Sequence, residues 1–184
     1  TLPIPVVLLL VVVIGALIGL ITGLIVAKLN VVPFVATMGT MVIVYGINSL
    51  YFDFVGASPV AGFDRKYSQV AQGALFQIGQ LRLSYLIIYA VIAIVFMWTL
   101  WNKTVFGKNL FAVGGNPEAA RVSGVNVAKT ILIVYMLSGV MYEIGGFLEA
   151  ARIGSATNNL GFMYEMDAIA ACVVGGVSFS GGVG

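Results

Sequence analysis

Histidine is absent from this chain of 184 residues, and cysteine occurs once, at Cys172. Without histidine there is no Ser–His or Cys–His pair for nucleophilic catalysis, and the side chain most used in acid–base and zinc sites is missing. A lone cysteine in an apolar run makes no internal disulfide. Charge is scarce too: Asp, Glu, Lys and Arg make up 9% of the chain, against roughly 25% in soluble domains. The net charge of +2 is small, and no basic cluster is interleaved with aromatics, so no nucleic-acid partner is expected. Neither Gly-x4-Gly-Lys-Ser/Thr nor a helix-opening Gly-x-Gly-x-x-Gly is present, which removes the usual phosphate-cradling loops. No pair of aspartates falls within the long apolar runs. These absences argue against an enzyme and against a metal or cofactor bound by the chain itself.

What is abundant is apolar surface. Hydrophobic residues make up 60% of the chain and the mean hydropathy is +1.07, which only a lipid bilayer accommodates. A span needs about 20 apolar residues. The expected architecture is an all-α integral membrane protein, a polytopic helical bundle with full spans over 4–26, 35–51, 83–101 and 130–151. A broken or re-entrant glycine-rich segment follows over 164–184. Between the second and third spans, residues 53–82 form a loop with a short helix expected around 67–76. Thr1 is not a start methionine and the chain stops inside a glycine-rich phrase, so an interior fragment of one longer transmembrane domain is expected. The breaks over 27–33 and 102–129 fall on one side of the bilayer. They carry Lys28, Lys103, Lys108, Arg121 and Lys129 with a single acid, Glu118; the other side carries Arg65, Lys66, Arg82 and Arg152 with five acids. The basic bias places 102–129 in the cytoplasm.

Within 102–129 the sequence writes out a short helix. Asn116 suits the N-cap, Pro117 the first helical position and Glu118 the first turn; Gly124, after Ser123, suits a left-handed C-terminal residue. Two turns do not persist alone in water, so the helix needs something to pack on. One reading is a loop helix covering its own protein; the other is a docking element for a cytoplasmic partner.

Polar groups inside or between spans are the remaining candidates. Gly15, Gly19 and Gly23 share one helix face and suit close helix packing. Glu143 is the one carboxylate well inside a span, where a charge costs about 2.5–3.5 kcal/mol on insertion scales. It serves either a proton- or ion-coupled carrier or sits wet or hydrogen-bonded towards the outer end of its helix. Glu149 and Arg152, three apart, are placed to pair. Asn48, and Ser155, Thr157, Asn158 and Asn159 at a span break, are neutral hydrogen-bonding groups that suit an uncharged polyol, as a translocation path or gate.

Gly114-Gly115-Asn116-Pro117-Glu118-Ala119-Ala120-Arg121-Val122-Ser123-Gly124-Val125 resembles the cytoplasmic loop of permease subunits of bacterial ABC sugar importers, the ribose, xylose, arabinose and galactose type. Val35-Ala36-Thr37-Met38-Gly39-Thr40-Met41 and the phrase from Gly175 to Gly184 look like the same family. The stretches Phe54-Val55-Gly56-Ala57-Ser58-Pro59 and Ile153 to Glu165 resemble its galactose/methyl-galactoside members. The resemblance implies a multi-pass protein of the bacterial inner membrane that works by alternating access. It implies three partners: a second permease copy, a cytoplasmic ATP-binding subunit carrying ATP and Mg, and a periplasmic sugar-binding protein. It further implies that Asn116, Pro117, Glu118, Ala119, Ala120, Arg121, Ser123 and Gly124 form the coupling helix that docks on the ATP-binding subunit. Glu143 departs from the small or apolar residue that the resemblance leads one to expect. A secondary transporter using Glu143, and a passive pore or structural subunit, are the rival readings.

Overall fold

The computed structural model describes residues 2–78, 81–178 and 181–182, with side chains for all of these except 76–78, 81 and 82. Phe179, Ser180, Val183 and Gly184 of the glycine phrase lie outside the described residues. Among the described residues, four helices are long and apolar enough to cross a membrane: α1 (Ile4–Leu29), α2 (Pro33–Phe54), α4 (Tyr85–Lys103) and α7 (Val127–Ile153). Between them lie α3 (Arg65–Gln72), α5 (Val105–Gly115) and α6 (Pro117–Val122), and α8 (Tyr164–Val174) follows. The chain is a multi-pass helical membrane protein.

Each long helix stops or starts where a cap is available. Pro33 opens α2 with its φ already set for a helix. Ser84 accepts a bond from the Leu86 N–H and starts α4, leaving Leu83 in a strand. Asn126 accepts from the Lys129 N–H at 3.0 Å, so α7 begins before Thr130 and runs on to Gly154, which turns left-handed at φ 78°.

Two sequence expectations change. The helix expected around 67–76 is α3, which starts earlier because Asp64 caps it and ends at Gln72. Ala74–Ile78 is instead strand β2, paired antiparallel with β3 (Leu81–Ser84). Much of 102–129, read as a polar loop with one short helix, is helical twice over. Thr104 caps α5 by accepting from the Gly107 N–H at 3.2 Å; three glycines within α5 hide that helix from a propensity reading. A second small ladder pairs Val60–Ala61 (β1) with Ser155–Ala156 (β4), joining the loop after α2 to the loop after α7.

The centre of the described structure is the α1–α7 seam. The order of contact runs Gly15 to Gly139, Gly19 to Tyr135 and Met136, Gly23 to Leu132 and Tyr135. Rising numbers in α1 meet falling numbers in α7, so the two helices are antiparallel. A Cβ on Gly15 would come within 2.5 Å of the Gly139 carbonyl oxygen, and one on Gly19 would overlap the Tyr135 carbonyl. Backbone meets backbone here, which any larger residue would prevent. Thr22, buried on α1, donates to the Ile18 carbonyl at 2.9 Å and lies 3.2 Å from the Thr40 hydroxyl of α2. The outer faces of α2 and α4 stay apolar and exposed, with Ile43, Ile47, Ile92 and Ile94 among them. That is the pattern of helices that face lipid.

The antiparallel seam sorts the chain into two ends. At one end lie the start of α1, the loop after α2, α3, β1–β4, the start of α4 and the close of α7. At the other lie residues 30–32, the close of α4, α5, α6 and the start of α7.

Candidate functional site

The short helix α6 is defined at both ends by bonds that need no partner. Asn116 Oδ1 accepts from the Ala119 N–H at 3.0 Å. Pro117 takes the first helical position and Glu118 the first turn. At the far end Gly124 adopts φ 84°. Its N–H donates to the Arg121 carbonyl at 3.0 Å, and the Val125 N–H reaches back to the Ala120 carbonyl, also at 3.0 Å. These two nested bonds satisfy carbonyls that the last turn would leave open. The helix ends at Val122, with Ser123 as its cap; the Ser123 hydroxyl donates to the Ala119 carbonyl at 2.9 Å.

The packing of α6 is one-sided. Ala120 is buried at 4% exposure, where α6 sits on α5 and α7. Pro117, Glu118, Ala119, Arg121, Val122 and Ser123 are exposed. Arg121 and Glu118 pair at 3.7 Å on the open face, an arrangement that contributes little to stability. Val122 is 88% exposed. A two-turn helix thus has one buried residue, Ala120, and a cap at each end, and presents an apolar side chain flanked by a charge pair.

The polar groups singled out as a path or gate lie at the other end of the molecule. Asn159 is joined to α2 by the Tyr45 hydroxyl, which donates to Asn159 Oδ1 at 3.0 Å. Asn48 lies one turn along α2 from Tyr45 and is exposed. Ser155 sits in β4, and Thr157 and Asn158 follow in a partly buried run of turns. Arg152 Nη2 donates to Glu149 Oε1 at 2.8 Å, and the Tyr164 hydroxyl donates to the same oxygen at 3.1 Å. Gln72 Nε2 donates to the Arg152 carbonyl at 2.9 Å, which ties in α3. The rings of Tyr67 and Phe147 meet edge-on at 5.8 Å.

Glu143 is not at the outer end of its helix. It is partly buried in the α1–α7 seam, its Cγ 2.8 Å from where a Cβ on Gly15 would stand. Among the described residues it forms no ion pair, and no group of His, Cys, Asp and Glu is placed to hold a metal ion.

Sequence reasoning missed Gly139 and Tyr135, which receive the glycine face of α1. Gly139 has no helical repeat of glycines around it to announce it. Equally unannounced is the contact of Gly114 with Gly181 and Gly182, 67 and 68 positions further on.

Among the described residues, an apolar, antiparallel helix pair, four potential spans and a capped helix held out at one end define a multi-pass helical membrane protein. Residues 1–183 match the family described as branched-chain amino acid transport system, permease component, and the chain belongs to that family. It is 70% identical over all 184 residues to the galactose/methyl galactoside import permease protein MglC of Escherichia coli K12, of which it covers 54%. With the protein of the same name from Haemophilus influenzae it shares 66% identity over 182 residues, 99% of this chain and 54% of the relative. The ribose import permease protein RbsC of Bacillus subtilis is 36% identical over 162 residues, 88% of this chain and 48% of that protein. The chain spans about half the length of these relatives. No solved structure matches.

Proposed function

We propose that this chain is part of the permease subunit of an ATP-driven importer of a monosaccharide, galactose or a methyl galactoside, in a bacterial inner membrane. The substrate class rests on the sugar named in relatives that are 70% and 66% identical to it. The neutral amides and hydroxyls of Asn48, Ser155, Thr157, Asn158 and Asn159 are compatible with a polyol, and the reading assigns them to the path or its gate. A periplasmic binding protein delivers the sugar, a second permease copy completes the path, and a cytoplasmic subunit binds ATP and Mg.

The observation that carries the reading is α6, which is capped at both ends, buried through Ala120 alone and open along Glu118, Arg121 and Val122. In this reading it is the coupling helix. ATP binding draws the motor subunits together and α6 moves with them. Because α5 leads into it and α7 leads out of it, the spans α4 and α7 tilt and the path opens outward; hydrolysis reverses the motion. Coupling of this kind needs contacts that differ between the two states, and an exposed, internally rigid helix is suited to make them.

The test is a crosslink. In a full-length chain with Cys172 replaced, a cysteine at Val122 is expected to crosslink to a co-expressed ATP-binding subunit in a nucleotide-dependent way. Labelling of that cysteine only from outside the cell, with no crosslink, would invert the topology and sink the reading.

A further inference from the structure

The segment that begins with α8 is tied to the rest of the chain at both ends of α7. It starts at Tyr164, whose hydroxyl bonds Glu149 near the close of α7. The helix then stops at Gly175 and turns at Gly176, φ 91°, where the Gly176 and Val177 N–H groups bond back to the Val173 and Cys172 carbonyls at 3.0 Å each. A further contact is at the opposite end of the molecule. There Gly181 and Gly182, at φ 81° and 74°, lie directly on the C-terminal end of α5. A Cβ on Gly114 would stand 2.7 Å from the Gly182 nitrogen, and one on Gly181 would stand 2.8 Å from the Gly114 carbonyl oxygen. No side chain lies between the two backbones. Gly115 shares the contact through its backbone, since a Cβ on Gly182 would stand 2.7 Å from the Gly115 Cα, but a Cβ added on Gly115 itself meets nothing within 4 Å.

Gly114 is two residues before Asn116, the N-cap of α6. Interdigitated packing without intervening side chains transmits displacement because sliding would open a void or force an overlap. We propose that Gly114 and Gly181–Gly182 form a mechanical joint through which movement of α6 is passed directly to the broken segment headed by α8. This second route is separate from the tilt of α4 and α7. The inference rests on the reading of α6 as the element that docks on the ATP-binding subunit.

The test uses the full-length permease assembled with its ATP-binding subunit in proteoliposomes, with the Val122 crosslink and sugar uptake per ATP both measured. Gly114→Ala and Gly182→Ala are expected to keep the crosslink and ATP hydrolysis while lowering uptake per ATP by about tenfold or more. Gly115→Ala, whose methyl group points into open space, is expected to stay within about twofold of the unaltered protein. Uptake by Gly114→Ala within about twofold of the unaltered protein would overturn the joint and leave the docking reading standing. Loss of both Gly114→Ala and Gly182→Ala from the membrane, with Gly115→Ala present at normal amount, would make the contact a packing element and overturn the joint as well. Absence of the Val122 crosslink in the otherwise unaltered chain would overturn the docking reading itself, and the joint with it.

Discussion

The two ends of the α1–α7 pair are finished in different ways. At the α3 end, segments far apart in sequence are bound to one another: β1 to β4, Tyr45 to Asn159, Gln72 to Arg152, and Tyr164 to Glu149. Side chains there find partners within the chain. At the α6 end the bonds of the short helix are local, between residues no more than five apart, and Ala120 is its one buried residue. Local bonds fix the shape of α6 without fixing it to much. The difference separates a region whose contacts close on themselves from one whose side chains are largely exposed.

The strongest way to break this comparison is to remove the seam that both ends share. Gly19→Leu forces a side chain into the Tyr135 carbonyl. Overpacking typically costs about 1–3 kcal/mol, and backbone in the way puts this substitution at or beyond the upper figure. The purified chain in detergent is expected to lose its cooperative thermal transition, whereas Gly46→Leu, in open space on α2, leaves the midpoint nearly unmoved.

Next comes Gly124→Pro. Proline's fixed negative φ conflicts with the observed 84°, and the bond to the Arg121 carbonyl loses its donor. Sugar uptake is expected to fall by about tenfold or more, with insertion and the α3 end intact. Normal uptake at normal expression would mean that the shape of α6 is irrelevant to transport.

Asn116→Ala is a milder version of the same cut. Loss of an N-cap costs about 1 kcal/mol; a severalfold decrease in uptake is expected, restored in large part by Asn116→Ser.

The smallest effect on stability is expected from Glu118→Gln with Arg121→Gln. The pair is exposed on both sides, so the thermal midpoint should not change. If α6 is a docking surface, uptake and the Val122 crosslink should still weaken. A matching probe of the closed end is Tyr164→Phe, which removes a bond to Glu149; it should lower stability by less than about 1 kcal/mol and leave the crosslink alone.

Much of this was legible in the residues. The apolar runs give the spans because no other solvent accepts them. The caps of α6 were readable because Asn116, Pro117 and Gly124 each meet a local requirement of backbone geometry, satisfied within a few positions. Glu149 and Arg152 pair because three residues of helix bring them to one face. The glycine face of α1 was visible as a repeat, yet nothing in it named α7 as its partner.

Only the tertiary structure decided which surfaces meet. A helix preference depends on neighbours in sequence, but a close approach depends on the shape of something distant. Gly139 receives Gly15 because α1 and α7 pack antiparallel, and Gly114 lies against Gly182; a glycine with no side chain carries no sign of its partner. The first residues of β2, 74–76, were lost to a helical reading for the same reason, since the strand's pairing with β3 outweighs local preference. Glu143 shows the limit from the other side. The sequence determined that a carboxylate lies within a span, and the fold decided that it faces the α1–α7 seam, because helix rotation is set by the glycine contact and not by the charge.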